Sequence, residues 1–414
     1  MPTILIVYLF SLLPISLIIG NSILNLNIFL IDLILLIYCW NTNYWIWLKD
    51  NIFRILIIIY LYLVVNSIYN YSLNQNYGFD GIIRSLSFIK FIFLSFSLKI
   101  MITQKKELNK IMFSWMLILL IVLVDVFYEF FIGNNILGFK SLDQTRIISF
   151  FYDENVVGGF IFAISFIVIT FFFNKDLNYK KKLLLNFLLF IIPLSILITG
   201  ERSNFLKCLL LFSIIIFLIN SSYLFTSKKI IISMLISIIF ISISFNKTLY
   251  IKQTEFFKRI FKVENPKKVS DVFQNIKYFA HYDAALSIFK DKPLNGVGNK
   301  NFRIECSNPK HYNKNLPFSI HRCTTHPHQI HFELLSEHGL IGYLLFFYFF
   351  FLFIKKGYLE NFNLKNIHIY TKNFYLIIFL IPLLPSGSLF STFNGSLFWI
   401  ILALTNINEK KFNN

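Results

Sequence analysis

The chain alternates continuous apolar runs with short polar intervals. Runs of roughly 17 to 22 residues recur, and each is long enough as a helix to cross about 30 Å of hydrocarbon. Their centres fall near residues 12, 31, 61, 94, 121, 166, 191, 212, 238, 347, 380 and 399, which predicts about twelve transmembrane helices. The apolar positions are contiguous and do not alternate, so barrel strands are excluded. The expected fold is an all-α integral membrane protein. The first run, "ILIVYLFSLLPISLIIG", has no basic residue ahead of it and no small-residue cleavage pattern behind it, so it reads as a retained helix and not as a cleaved signal.

One interval breaks the rhythm. Residues 248–338 separate the ninth and tenth runs, and a connection so long is functional or disordered as a rule. Aromatic residues such as Phe256, Phe261, Tyr278, Phe279, Tyr282 and Phe289 favour a folded, mainly helical unit packed on the membrane domain. The chain thus divides into 1–247 with the first nine helices, 248–338 as the large loop, and 339–414 with the last three helices and a tail.

Composition agrees: 56% of residues are hydrophobic and 14% charged, outside the range of a soluble globular domain. Lys and Arg number 39 against 21 Asp and Glu, an excess that would suit nucleic acid if it were clustered. It is instead distributed by topology. Lys49 and Arg54, Lys105, Lys106 and Lys110, Lys175 and Lys180 to Lys182, Lys228 and Lys229, Lys355, Lys356, Lys365 and Lys372, and Lys410 and Lys411 all fall on one side of the alternation. Arg84, Lys140, Arg146 and Arg202 fall on the other. The positive-inside rule then puts both termini in the cytoplasm and the long loop outside. Membrane lipids are expected partners; nucleic acid is not.

Ionisable groups in or beside membrane helices are costly and mark functional candidates. Asp125 and Glu129 share one face of the fifth run. Arg146 and Asn155 enter the sixth run within "TRIISFFYDENVVGGF", where Gly158 and Gly159 permit a close backbone approach. In "ILITGERSNFLKCLL" a very tight turn pins Arg202 at the outer interface. Its flat fork matches phosphate oxygens with two parallel hydrogen bonds, so a lipid-borne phosphate or pyrophosphate fits the depth. Seven histidines lie between 281 and 338, and the densest stretch is "HPHQIHFELLSEHGLIGY". A helix from about His328 would put Glu333 and Glu337 on one face, with Glu337 on the side of His328. Imidazole at His328 can accept a proton. Zinc bound by His326, His328, His331 and Glu333 is the rival reading, but H-x-H-x-x-H matches no trusted zinc signature, so no metal is expected. Cys39 and Cys208 sit in helices. Cys306 and Cys323 share the outer loop, where an oxidising compartment lets them pair; two free thiols are the alternative.

The blocks "DVFYEFFIGNNILGF", "TRIISFFYDENVVGGF", "TGERSNFLK", "DKPLNGVGNKNFR" and "THPHQIHFELLSEHGLIGY", in this order, resemble the O-antigen ligase/polymerase family of bacterial membrane glycosyltransferases. The resemblance covers roughly residues 120 to 345. It implies a twelve-helix C-type membrane glycosyltransferase-like fold with a periplasmic loop late in the chain, in the bacterial inner membrane. It implies metal-independent, cofactor-free transfer of a glycan from undecaprenyl pyrophosphate to an acceptor hydroxyl: lipid A core for a ligase, or another lipid-linked glycan for a polymerase. Transfer to protein would use the same machinery, and a membrane transporter is the alternative from another class. The family's arginine after the seventh helix falls on Arg202, and its loop histidine on His328, followed here by Gln329 where the family has Asn. A second, early-loop arginine has no clear counterpart. His281 occupies roughly that place and would have to be protonated to replace it; Arg303 or Lys277 could supply the charge instead. Arg146, Arg303, His281, His326, Asn155 and Gln329 are the expected substrate-binding residues, and Glu333 or Glu337 is available to orient His328.

Overall fold

A backbone surrounded by hydrocarbon must satisfy its own N–H and C=O groups, and the apolar runs among the described residues do so as helices. The computed structural model describes residues 2–143, 146–152, 156–172, 179–218, 276–360 and 367–405. Among the described residues there are helices and no strand. The main helices are α1 (Pro2–Ile19), α2 (Asn21–Thr42), α3 (Asn51–Leu73), α4 (Asp80–Ser87), α5 (Ile89–Met101), α6 (Lys105–Ile132), α7 (Val157–Phe172), α8 (Tyr179–Ile198), α9 (Arg202–Leu218), α10 (Lys277–Asp291), α11 (Ile330–Glu360), α12 (Ile367–Phe379) and α13 (Thr392–Thr405). Among the described residues, five segments, counting α4 with α5 as one, are long and apolar enough to cross a membrane. The first eight expected centres lie in α1 to α9, and the last three lie in α11 and α13 and at the end of α12. The ninth centre, near 238, and residues 248–275 of the expected loop fall outside the described residues.

The helices are turned inside out relative to a soluble bundle. Phe29, Trp40, Val65, Val124, Leu344 and Phe351 are exposed, while Asn27, Asp32, Asn66, Asn70 and Asp125 are buried. Apolar surface outward and polar groups inward is the pattern of an integral membrane protein.

The two ends of the bundle differ. At one end Asp50 caps α3 through the amide of Ile52 at 3.0 Å and takes the ammonium groups of Lys99 and Lys356 at 3.0 and 2.9 Å. These hydrogen bonds outweigh the upward push of burial and hold the Asp50 carboxyl down at about 2. The opposite end gathers the starts of α4, α9, α11 and α13 with the segment 292–329, and carries the site.

What builds that end is a broken helix. Within α11, Gly339 has φ 61 and ψ −165, a region reserved for glycine. The break frees the amides of Leu340 and Ile341, which donate to the carbonyls of Pro293 at 2.8 Å and Leu294 at 3.2 Å. In return the amides of Val297 and Gly298 donate to the carbonyls of Ser336 and Glu337 at 3.0 and 2.7 Å. Residues 293–298 are therefore threaded against the break, and a Cβ on Gly339 would overlap Leu294 and Asn295. The glycines of "NGVG" serve this docking: a Cβ on Gly296 would overlap the Ser336 and Glu337 backbone. Asn66 of α3 completes the junction, donating to Asn295 and Glu337 carbonyls at 2.9 and 3.3 Å.

The loop unit has its own small core of Tyr77, Ala284, Ala285, Ile288, Val297, Phe302 and Cys306. Cys306 and Cys323 form a disulfide with their Cα atoms 5.4 Å apart. Glu305 ties the unit to the end of α3: it accepts from Tyr77 at 2.7 Å and pairs with Lys310 and His311 at 3.1 Å each.

Candidate active site

The turn between α8 and α9 is tight because Glu201 organises it. Its carboxylate accepts from the amides of Gly158 and Gly159 at 2.6 and 3.1 Å and from the Asn204 side chain at 2.6 Å, so it caps the first turn of α7. Gly158 is obligatory for this approach, since a Cβ there would lie 2.9 Å from Glu201 Cδ and Thr199 Oγ1. Arg146 acts on Glu201 electrostatically and pairs with Asp143 at 3.9 Å. Arg202 is the next residue along, half-buried at the first position of α9.

His328 does not begin a helix. The structure corrects that expectation: α11 starts at Ile330, and His328 sits ahead of it with φ 58. Pro327 disfavours helix before itself, and Gln329 provides the helix start, its side-chain oxygen accepting from His331 and Phe332 amides at 2.7 and 3.3 Å. Gln329 is thus buried and engaged in capping, with no face left toward a substrate. The unusual backbone of His328 is held by Ser386, whose amide donates to the His328 carbonyl at 2.7 Å and whose hydroxyl accepts from Ile330 at 3.0 Å. Lys207, on α9, donates to the carbonyl of the adjacent Pro385 at 2.6 Å. The helix that starts at Arg202 and the residue His328 therefore grip the same short segment at one end of the bundle.

The His328 ring lies among three others: His326 at 4.3 Å, and His281 and Tyr278 at 5.5 Å each, between ring centroids. No carboxylate contacts it among the described residues, so the expected orienting role of Glu333 or Glu337 is not realised. Burial, with His281 as a second cause, lowers the His328 pKa to about 4. Burial likewise takes His326 down to about 3 and lowers His281, whose Nδ1 lies 3.1 Å from the Arg322 carbonyl. A protonated His281 standing in for an arginine is therefore disfavoured by its own surroundings, and Arg303 is the better-placed cation. Lys277 is exposed.

Beside His328 opens a cavity of about 290 Å³, lined among others by Arg84, Lys300, Arg303, His326, Glu333 and Glu337. Val156, two residues before the Gly158 that Glu201 holds, forms part of its wall. Both glutamates of the expected i,i+4 pair reach it. Glu337 spends its oxygens on the amides of Lys300 and Phe302 at 2.9 and 3.2 Å, which fixes the cavity floor. Arg303 is exposed at the rim and reaches the Thr325 carbonyl at 3.5 Å. Asn155 lies outside the described residues. Arg84 and the segment 385–394 were not singled out in the sequence. An arginine in the last turn of a short helix just before an apolar span was the available signal for Arg84.

Asp125 and Glu129 are corrections of another kind. Asp125 accepts from Ile136 at 2.7 Å and Ser149 Oγ at 2.5 Å, and Glu129 from the Ile148 and Ser149 amides at 3.1 and 2.6 Å. They fasten the loop after α6 and are not among the residues lining the cavity beside His328. His331 is similarly spent on Tyr343 and the Leu380 carbonyl.

Fold and site together define a helical membrane protein with a polar, cation-rich pocket at one end of its bundle. Residues 185–347 match the family model described as O-antigen ligase, a match that supports the resemblance to the O-antigen ligase/polymerase family. The match takes in Arg202, His281, Arg303, His326, His328, Glu333 and Glu337, and leaves out Arg84, Arg146 and Asn155. No curated protein matches the chain.

Proposed function

We propose that this protein transfers a glycan from undecaprenyl pyrophosphate to an acceptor hydroxyl at the periplasmic face of the bacterial inner membrane, as an O-antigen ligase acting on lipid A core. The observation that carries the reading is the meeting of α9 and His328 on the Pro385–Ser386 segment, within a stretch that matches the ligase family. In this reading both termini are cytoplasmic and the end holding Asp50, Lys99 and Lys356 faces the cytoplasm, in keeping with the positive-inside rule.

The chemistry follows from the residues. As the acceptor oxygen attacks the anomeric carbon, the bond from that carbon to the lipid pyrophosphate breaks and negative charge grows on the leaving oxygen. Arg202 stabilises that charge more in the transition state than in the ground state. His328, neutral down to about pH 4, takes the proton released by the acceptor hydroxyl. Its low basicity limits proton transfer at neutral pH, so pyrophosphate stabilisation carries most of the rate. Arg146 acts on the turn that carries Arg202. No step calls for a cofactor or a metal.

A transporter would exploit the break in α11 as an ion or substrate site. The amides freed there are already bonded to Pro293 and Leu294, which removes that support. Polymerisation and protein glycosylation share the donor chemistry, and the acceptor separates them. Deleting the gene and displaying surface glycan on a gel should leave lipid A core without any polymer. A single repeat still attached to core would show a polymerase instead, and an unchanged glycan ladder would refute glycan transfer by this protein.

A further inference from the structure

Two of the side chains that line the cavity beside His328 each carry a buried polar atom without a hydrogen-bond partner. Glu333 is 2% exposed, and although Ser388 and the Leu389 amide approach its carboxylate, Oε2 has no hydrogen-bond partner. Although the Ser386 backbone approaches the His326 ring, its Nε2 is likewise buried without a partner, and its Nδ1 lies 3.0 Å from Thr325 Oγ1. A buried polar group left unmatched costs about 1–3 kcal/mol, so two such atoms on residues that line one cavity point to a ligand that completes them. The carboxylate offers an acceptor and the imidazole a donor or acceptor: a hydrogen-bonding set suited to adjacent hydroxyl groups.

The same lining supplies positive charge. Lys300 is taken by Asp80 at 2.6 Å, whereas Arg84 gives one N–H to the Phe390 carbonyl and makes no salt bridge among the described residues. It feels the field of Glu333 and Glu337 without touching either. Its remaining N–H groups, with Arg303 at the rim, match an anion's paired oxygens. At about 290 Å³ the cavity sits near the lower end of small-ligand sites, about 300 Å³, which suits one sugar ring and not an oligosaccharide.

We propose that this cavity is a subsite for a single sugar ring bearing an anionic group, with Glu333 and His326 on ring hydroxyls and Arg84 and Arg303 on the anion. The proposal rests on the glycan-transfer reading and deepens it: Glu333 becomes a substrate-binding residue, and Arg84, outside the family-matched stretch, becomes a determinant of which sugar is accepted. The anion can be a phosphate on the anomeric carbon or a carboxylate on the ring. Both present the same paired oxygens to the arginines.

The test uses the full-length protein in detergent micelles and ligand-observed NMR. The probes are methyl glucoside and methyl galactoside, glucose 1-phosphate and galactose 1-phosphate, glucuronate and galacturonate, and inorganic phosphate. The expected result is that a sugar phosphate or a uronate binds at least about tenfold more tightly than both its methyl glycoside and inorganic phosphate, the scale of one charge-assisted bond. Preference for the phosphate assigns the anion to a glycosyl phosphate; preference for the uronate assigns it to the ring carboxylate. Glu333→Gln should weaken the preferred probe about tenfold, and Arg84→Gln should erase its advantage over the methyl glycoside. Should a buried substitution fail to fold, Thr325→Trp, at the exposed rim, blocks the cavity and should abolish binding. The proposal is overturned if no probe binds the unmodified protein, if inorganic phosphate or the methyl glycosides bind as well as the anionic sugars, or if binding survives Thr325→Trp. Anionic-sugar binding without any glycan transfer would sink the transfer reading and leave the subsite standing; transfer without such binding would do the reverse.

Discussion

Replacing Gly339 with Ala places a methyl group where the structure has no room and on a backbone that alanine resists. The ε-region conformation costs a non-glycine residue about 1–3 kcal/mol, and the new Cβ would overlap the Leu294 carbonyl and the Asn295 nitrogen. The relief available is to straighten α11, which surrenders the bonds from Leu340 to Pro293 and from Ile341 to Leu294. At about 0.5–1.5 kcal/mol each, those two bonds add about 1–3 kcal/mol, for a total near 2–6 kcal/mol. Residues 293–298 would then lose their dock, and with them the Lys300 and Phe302 amides that meet Glu337. Thermal melting in detergent, read by intrinsic fluorescence, should fall for Gly339→Ala, and glycan transfer should fall with it. Leu340→Ala, at an exposed apolar position, should leave both near their original values. Gly339→Ala that melts and transfers like the unmodified protein would refute the docking of 293–298 against the break.

Transfer should hold from pH 7 down toward about pH 4 and be lost below, because His328 protonates only near 4; half-activity near pH 6.5 would contradict its burial. The same depression means that His326 and His328 contribute stability in full above about 6.5, the unfolded value, and lose it as pH falls through 4 and 3, measurable as an acid-induced drop in melting temperature. Gly158→Val should overpack the Glu201 cap, costing about 1–3 kcal/mol and reducing transfer through Arg202; unchanged melting would show that the turn has slack. Reducing the Cys306–Cys323 bond should destabilise the loop by about 3 kcal/mol, with mass spectrometry of unreduced peptides verifying the link first. Transfer should continue in a strong chelator, and loss restored by added zinc would revive a metal-ligand role for the histidines.

The spans were legible because hydrocarbon demands long apolar runs, and the arginine turn because so few residues separate Ile198 from the start of α9. The chain's glycines were legible as close approaches at Gly158 but not at Gly339, where the need arises from a strand of backbone threaded in from 293–298, far away in sequence. Asp125 and Glu129 misled for a related reason: cost in the membrane marks a residue as important without saying whether it holds a loop or a substrate. The backbone at His328 was misjudged from local pattern. Gln329 caps the helix, and Ser386, fifty-odd residues on, sets the backbone. Arg84 escaped notice because its cavity is closed by segments around 300, 330 and 390 that no local pattern connects.

Purified protein given a lipid-pyrophosphate glycan donor and a core acceptor offers the sharpest test. Arg202→Ala and His328→Ala, each folded and membrane-inserted, should show transfer near background, with the arginine variant the more damaged at neutral pH. Full activity in either variant would contradict the joint role assigned to these two side chains.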